Sequence, residues 1–193
     1  MGTTQPIRTN DEIQKLKEYF LNKGETRNYV LVTMGLNTAL RISDLLELSW
    51  KDVWNFSRNC FRQHITLTER KTKKNQIVYL NLTCVNALLL LKDDLRDEIA
   101  PDFYIFQSRV GDNQHIGRNR AYMLIKKAWN DLGYEGNVSC HSLRKTFGYH
   151  AWKNGISPAI IMNIYNHSSM EITKRYLAIE QDDRDNAYRR IEL

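Results

Sequence analysis

The hydrophobic period of this chain changes once. Apolar residues recur at helical spacing toward both ends, but the middle switches to β-branched and aromatic runs, Phe61-Arg62-Gln63-His64-Ile65-Thr66-Leu67 and Ile77-Val78-Tyr79-Leu80. These runs flank a basic polar tip, Thr68 to Gln76, and predict one hairpin inside an otherwise helical chain. The fold class that follows is mainly α with a small antiparallel β-sheet (α+β). The helices are marked by their ends. Thr9-Asn10-Asp11-Glu12 has the form of a capping box, and Ile13, Leu16 and Phe20 continue a first helix to about Asn22. Tyr29 to Leu36 reads as a buried second helix, and Ser43-Asp44 opens a short third one with Leu45, Leu46 and Leu48 on its apolar face. Thr83 to Ile99 is helical, stopped by Pro101, and Tyr104 to Phe106 is a short extended run. Arg120 to Leu132 and Ser142 to Asn154 are helices closed by Gly133 and Gly155. Ser157-Pro158 and Ser168-Ser169-Met170-Glu171 open two more elements, the second carrying Tyr176. Asp182 to Leu193 reads as a charged amphipathic tail helix with Ala187, Tyr188 and Ile191 free to dock.

With 193 residues, no repeat and no low-complexity linker, the chain 1–193 reads as one domain, residues 1–8 being a disordered leader. Lys and Arg exceed Asp and Glu by 28 to 22, a net charge of +6 that favours a polyanionic partner. The three cysteines, Cys60, Cys84 and Cys140, form no CxxC pair, so neither a disulfide framework nor a zinc site follows, and a reducing cytoplasm is expected. No apolar run approaches the roughly 20 residues needed to cross a bilayer, and MGTTQPIRTN is no signal peptide. There is no Walker motif, no HExxH and no carboxylate cluster of metal-binding type, so no cofactor and no metal are expected.

Four segments carry candidate chemistry. Thr38-Ala39-Leu40-Arg41-Ile42-Ser43-Asp44-Leu45 places an arginine between a buried helix and a capped one. His141-Ser142-Leu143-Arg144-Lys145-Thr146-Phe147 opens a helix. Asn166-His167-Ser168-Ser169 joins two helices, and Thr173 and Tyr176 follow, Tyr176 nine positions after His167. Together these resemble the catalytic domain of the tyrosine recombinases, the phage-integrase family. The likeness runs from about Thr9 to about Leu177: "TGLRISEL" is matched at Thr38 to Leu45, the HxLR(H/K)TF box at His141 to Phe147, and the GHSS…T…Y box at His167 to Tyr176. One departure is Asn166, where the family pattern has glycine; asparagine tolerates the same left-handed turn. A second is the lack of room before Thr9 for the DNA-clasping core-binding domain of most members, so an isolated catalytic domain or a short single-domain member is expected.

The chemistry asks for these residue types. Attack on a phosphodiester loads negative charge on nonbridging oxygens, which the planar forks of Arg41 and Arg144 suit. A tyrosine phenol, pKa about 10, must lose its proton as it attacks, and His141 can accept it or hydrogen-bond the phosphate. By the resemblance, Tyr176 is the nucleophile, His167 has a supporting role, and a hairpin lysine protonates the leaving 5′-oxygen. Lys71-Thr72 matches that lysine, with Lys73 and Lys74 close enough to leave the choice open. Lys73, Lys74, Arg118 and Arg120 are read as contacts to DNA. Cys140 reads as a buried small side chain, His64, His115 and His150 receive no role, and Tyr19, Phe20, Trp129 and Trp152 read as core aromatics.

The resemblance implies site-specific recombination of double-stranded DNA (integration, excision or inversion) through a 3′-phosphotyrosyl link and a Holliday junction. It also implies a monomer in free solution, a tetramer on paired sites with the tail helix docked on a neighbour, and an accessory directionality factor. The setting would be the cytoplasm of a bacterium or a phage host, at the nucleoid, with no membrane partner. Two other readings share the fold: a type IB topoisomerase that only relaxes DNA, and a catalytically silent DNA-binding regulator. The small size opposes the first and the intact residue set opposes the second.

Overall fold

A computed structural model describes residues 4–96, 98–177 and 188–191 of the chain. The first helix, α1 (Asn10–Leu21), starts at the expected capping box. Glu12 N–H donates to Thr9 Oγ1 and Thr9 N–H to Glu12 Oε2, both at 3.2 Å. It buries Leu16 and Phe20 against α2 (Thr26–Asn37), the central helix, which is enclosed by α1, α5 (Leu82–Asp94) and α7 (Cys140–Lys153). Its near-continuous apolar run is buried from Val30 to Leu36, as a helix packed on several sides requires. Gly35 sets the approach of α7: a Cβ there would lie 2.7 Å from Leu143 Cδ1 and 3.2 Å from Leu143 Cβ. Displacing Leu143 costs about 1–3 kcal/mol, more than the ~1 kcal/mol of helix propensity that alanine restores. Gly35→Ala is therefore expected to lose about 1 kcal/mol net, measurable as a lower denaturant midpoint.

Between α2 and α5 lie α3 (Ile42–Leu46), α4 (Trp50–Val53), β1 (Trp54–Asn55), β2 (Cys60–Phe61), β3 (His64–Thr68) and β4 (Asn75–Tyr79). The hairpin forms in antiparallel register from His64↔Tyr79 to Thr68↔Asn75, with Ile65 and Val78 turned into the core. The expected strand from Phe61 is split, however. Phe61 pairs with Trp54 in a separate two-stranded sheet, and Arg62 donates its N–H to the Val53 carbonyl (2.8 Å) and its Nε to that of Lys51 (2.8 Å). These bonds bend the chain before His64, giving two small sheets rather than one among the described residues. Helix α4 was not expected, although Ser49-x-x-Asp52 caps it: Ser49 N–H and Oγ both donate to Asp52 Oδ2.

Helix α5 stops at Asp94, short of the expected Ile99, because Arg96 takes a left-handed φ of +51° that no glycine announces. Tyr104 to Phe106 makes a single bridge, Ser49↔Tyr104, rather than a strand. Beyond it come α6 (Arg118–Asp131), α7, α8 (Pro158–Tyr165) and α9 (Met170–Leu177), with Gly133 and Gly155 left-handed as expected. Phe20 and Trp129 are buried, whereas Tyr19 and Trp152 are half-buried.

Residues 4–8 are not a disordered leader. They lie along α7: Ile7, 1% exposed, donates its N–H to Thr146 Oγ1 (2.8 Å), Gln5 N–H to the Asn137 carbonyl (3.2 Å), and Lys145 Nζ to the Thr4 carbonyl (2.7 Å). Burial of Ile7 and these bonds supply what an ordered terminus needs. Of the tail helix expected over 182–193, residues 188–190 are helical; 182–187, 192 and 193 lie outside the described residues. No helix among the described residues is long and apolar enough to cross a membrane.

Candidate active site

Helix α2 ends at Asn37, and Thr38 Oγ1 donates back to the Met34 carbonyl (2.7 Å). Ala39 then takes φ +54°, a left-handed conformation costly for any residue with a Cβ, at the position where the motif quoted above has glycine. The turn aims Arg41 off the N-cap of α3, where its carbonyl accepts the N–H groups of Asp44 and Leu45, both at 2.9 Å. Arg41 Nη1 forms an ion pair with Oε1 of Glu69, a fully buried carboxylate at the end of the hairpin. Burial pushes the Glu69 carboxyl up, but hydrogen bonds from Arg41, Thr72 and Asn166 with the Arg41 charge outweigh it and hold it below the usual range.

Arg144 comes from the first turns of α7 and is 3% exposed. Its Nη1 donates to the Ala39 carbonyl and its Nη2 to the Tyr165 carbonyl (3.2 Å), while the guanidinium lies 4.6 Å over the Tyr165 ring. Tyr165 Oη in turn donates to the Arg144 carbonyl. The left-handed Ala39 thus serves as an acceptor for the second arginine, tying two segments more than a hundred positions apart. Ala39, Ile161 and Tyr165 form a small apolar cluster under this contact.

His141 sits one turn before Arg144, so both project from the same end of α7. Desolvation first, and then the charges of Lys145, Arg144, Lys71 and Arg41, push its pKa below the ordinary value. His167 follows Asn166, which adopts the left-handed φ of +54° expected at the glycine position. Its ring stacks on Tyr165 (5.2 Å between centroids, 23° between planes), and Nδ1 lies 3.0 Å from Thr173 Oγ1. Burial, then Arg144 and Arg41, push it down as well, against an upward pull from Glu69.

Lys71, Lys73 and Lys74 are all exposed at the hairpin tip. The tip is closed by Lys73 N–H to the Glu69 carbonyl and Glu69 N–H to the Lys74 carbonyl, both 2.9 Å, and Arg70 N–H donates to the buried Asp44 (3.1 Å). Lys71 is the tip lysine whose charge is felt at His141. Tyr176 lies in the last turn of α9, which packs against α7 and α8. Arg118 and Arg120 are exposed on the first turn of α6; Arg120 faces Arg27 and Arg109, not the histidines described above. Cys140 is buried, its thiol pushed up to about 12, so it is no nucleophile beside His141. Sequence reasoning missed Glu69, Asp44 and Tyr165. Asp44 was quoted only as part of a motif, and nothing local marks the other two.

Arg41 and Arg144 therefore act electrostatically on both His141 and His167, and Lys71 on His141, a set able to receive an anion and to take up a proton. The comparisons agree with this class. Residues 8–182 match the model of the phage integrase family, and the chain belongs to that family. The probable integrase/recombinase YoeC of Bacillus subtilis (strain 168) is 38% identical over 189 residues, covering 98% of this chain and 97% of that one. Tyrosine recombinase XerA of Pyrococcus furiosus is 25% identical over 186 residues, which span 96% of this chain but 61% of XerA. Among solved structures, XerA recombinase superposes with a TM-score of 0.71 at 26% identity, over 91% of this chain and 61% of that one. XerH bound to palindromic difH substrate, a post-cleavage complex, gives 0.72 at 20% identity over 97% of this chain and 53% of that one, a likeness of fold.

Proposed function

We propose that the chain is a site-specific DNA recombinase that cuts and rejoins strands through a tyrosyl–DNA intermediate. The observation that carries this reading is the convergence of Arg41, Lys71, His141, Arg144 and His167 from four separate segments, with the helix bearing Tyr176 packed beside them. Double-stranded DNA is the partner in this reading: the Tn1549 transposon integrase, a neighbour in fold, is in complex with circular intermediate DNA, and DNA phosphates suit the +6 net charge. Arg41 and Arg144 hold the nonbridging oxygens of the scissile phosphate. The Tyr176 oxygen attacks phosphorus, its proton passing to His141, while the bond to the 5′-oxygen breaks and Lys71 protonates that leaving group. A 5′-hydroxyl from a partner duplex reverses the step. His167, fixed by Tyr165 and Thr173, orients the phosphate. Exchange between duplexes places the enzyme as a tetramer on paired sites, each tail docked on a neighbour, and as a monomer off DNA, acting in the cytoplasm at the nucleoid.

The experiment pairs two captured sites on one plasmid. Inversion or excision between them supports recombination; relaxation without exchange identifies a topoisomerase, and binding without any covalent link a silent regulator.

The depressed histidines give a pH dependence with a fixed sign. Below about pH 6.5, the ordinary histidine value, the unfolded chain takes up protons that folded His141 and His167 do not. Stability is therefore complete above that value and falls as pH drops toward the lowered folded pKa. Strand cleavage should hold through that interval and fall only as pH drops past the lowered folded pKa, where His141 itself takes up a proton and can no longer accept the phenolic one. Thermal melting and cleavage rates between pH 5 and 8 check both, and His141→Gln should flatten part of the melting slope.

A further inference from the structure

Glu69 is the most deeply buried charged side chain among the described residues, at 0% exposure, and nothing in the reaction above uses it. Its two oxygens reach separate parts of the site. Oε1 pairs with Arg41 Nη1, and neither atom has a hydrogen-bond partner elsewhere, while Oε2 accepts from Thr72 Oγ1, next to Lys71. One carboxylate thus holds the loop after α2 and the hairpin tip.

Stability alone does not account for a buried ion pair, since well-packed apolar residues of the same size commonly serve it as well or better. A negative charge beside an incoming phosphate also opposes binding. A role through Arg41 resolves both points. Resting on the recombinase reading, we propose that Glu69 is a positioning residue: it fixes the Arg41 guanidinium and the Lys71-bearing tip in one geometry, leaving the other Arg41 donors for the scissile phosphate.

Loss of structure and loss of positioning then have different signatures. Damage to the fold weakens binding and cleavage together. Removing only the charge, as in Glu69→Gln, should leave duplex affinity unchanged or tighter while cleavage slows by about 10- to 100-fold, the scale of a small misplacement of a reacting group. The probe is a pool of duplexes with randomised centres, each nicked at mid-length. Wild-type full-length protein captures its substrate covalently from this pool, and single-turnover rates and affinities are measured on the captured sequence. Glu69→Gln added to Arg41→Ala should slow cleavage no further, because the carboxylate acts through that arginine. Thr72→Val, at a half-buried position, should slow cleavage several-fold without loss of affinity, and it carries the test if Glu69→Gln does not fold. A wild-type rate in the folded variant, or a parallel fall in affinity and rate, overturns the proposal. Failure of the wild-type chain to capture any duplex removes the recombinase reading and this inference with it, whereas capture with an indifferent Glu69 removes the inference alone.

Discussion

Replacing Arg144 with alanine should slow covalent capture of DNA by roughly 10²–10³, the usual loss for one preorganised donor at a developing negative charge. The effect should exceed that of an exposed cation because Arg144 is held before substrate arrives. Its fork donates to the carbonyls of Ala39 and Tyr165, and its plane lies over the Tyr165 ring. Alanine would leave two buried acceptors without donors, at about 1–3 kcal/mol each, so stability should fall too. Lysine separates the two losses. A single ammonium can satisfy one carbonyl and keep the charge, but it cannot reproduce the planar fork. Arg144→Lys is therefore expected to recover part of the stability while remaining slow. Denaturant unfolding beside capture rates checks this, and a lysine variant that cleaves at the wild-type rate would show that charge alone suffices.

The local part of this architecture was legible in the sequence because local contacts leave local marks. The Thr9–Glu12 box, the glycines after α6 and α7 and the apolar run of α2 each act within a few positions of themselves. The motif residues were legible by resemblance to a family, residue by residue, and the charges of Arg41 and Arg144 act on both His141 and His167. What was not legible depends on contacts distant in sequence. Ile7 is ordered by Thr146, Arg144 by Ala39 and Tyr165, and Arg41 by Glu69, and no spacing rule announces such pairs. A buried glutamate in a basic tip reads from sequence as one more solvated charge. The split of the expected strand at Arg62 likewise depends on carbonyls of the preceding helix.

Tyr176→Phe is expected to have the largest effect of any single change. It removes one oxygen, the nucleophile, and leaves the ring in place. Duplex affinity, set by phosphate contacts, should be unchanged while covalent chemistry is lost entirely rather than slowed. The thiol of Cys140, beside His141, does not stand in for it: it is buried and pushed up to about 12. The transition-state donors in this account are side chains of the chain itself, Arg41, Arg144 and Lys71, and a phosphotyrosyl ester conserves the energy of the broken bond. Cleavage should therefore proceed in EDTA and without a nucleotide.

Attack by Tyr176 is read out on a duplex nicked close to the cleavage point, where the short fragment diffuses away after attack and the protein–DNA adduct accumulates. With EDTA present and ATP absent, the wild-type chain is expected to give a denaturation-resistant adduct, linked at Tyr176 by peptide mapping. Tyr176→Phe should give none while binding the same duplex equally well. An adduct that persists in Tyr176→Phe would show that another residue is the nucleophile.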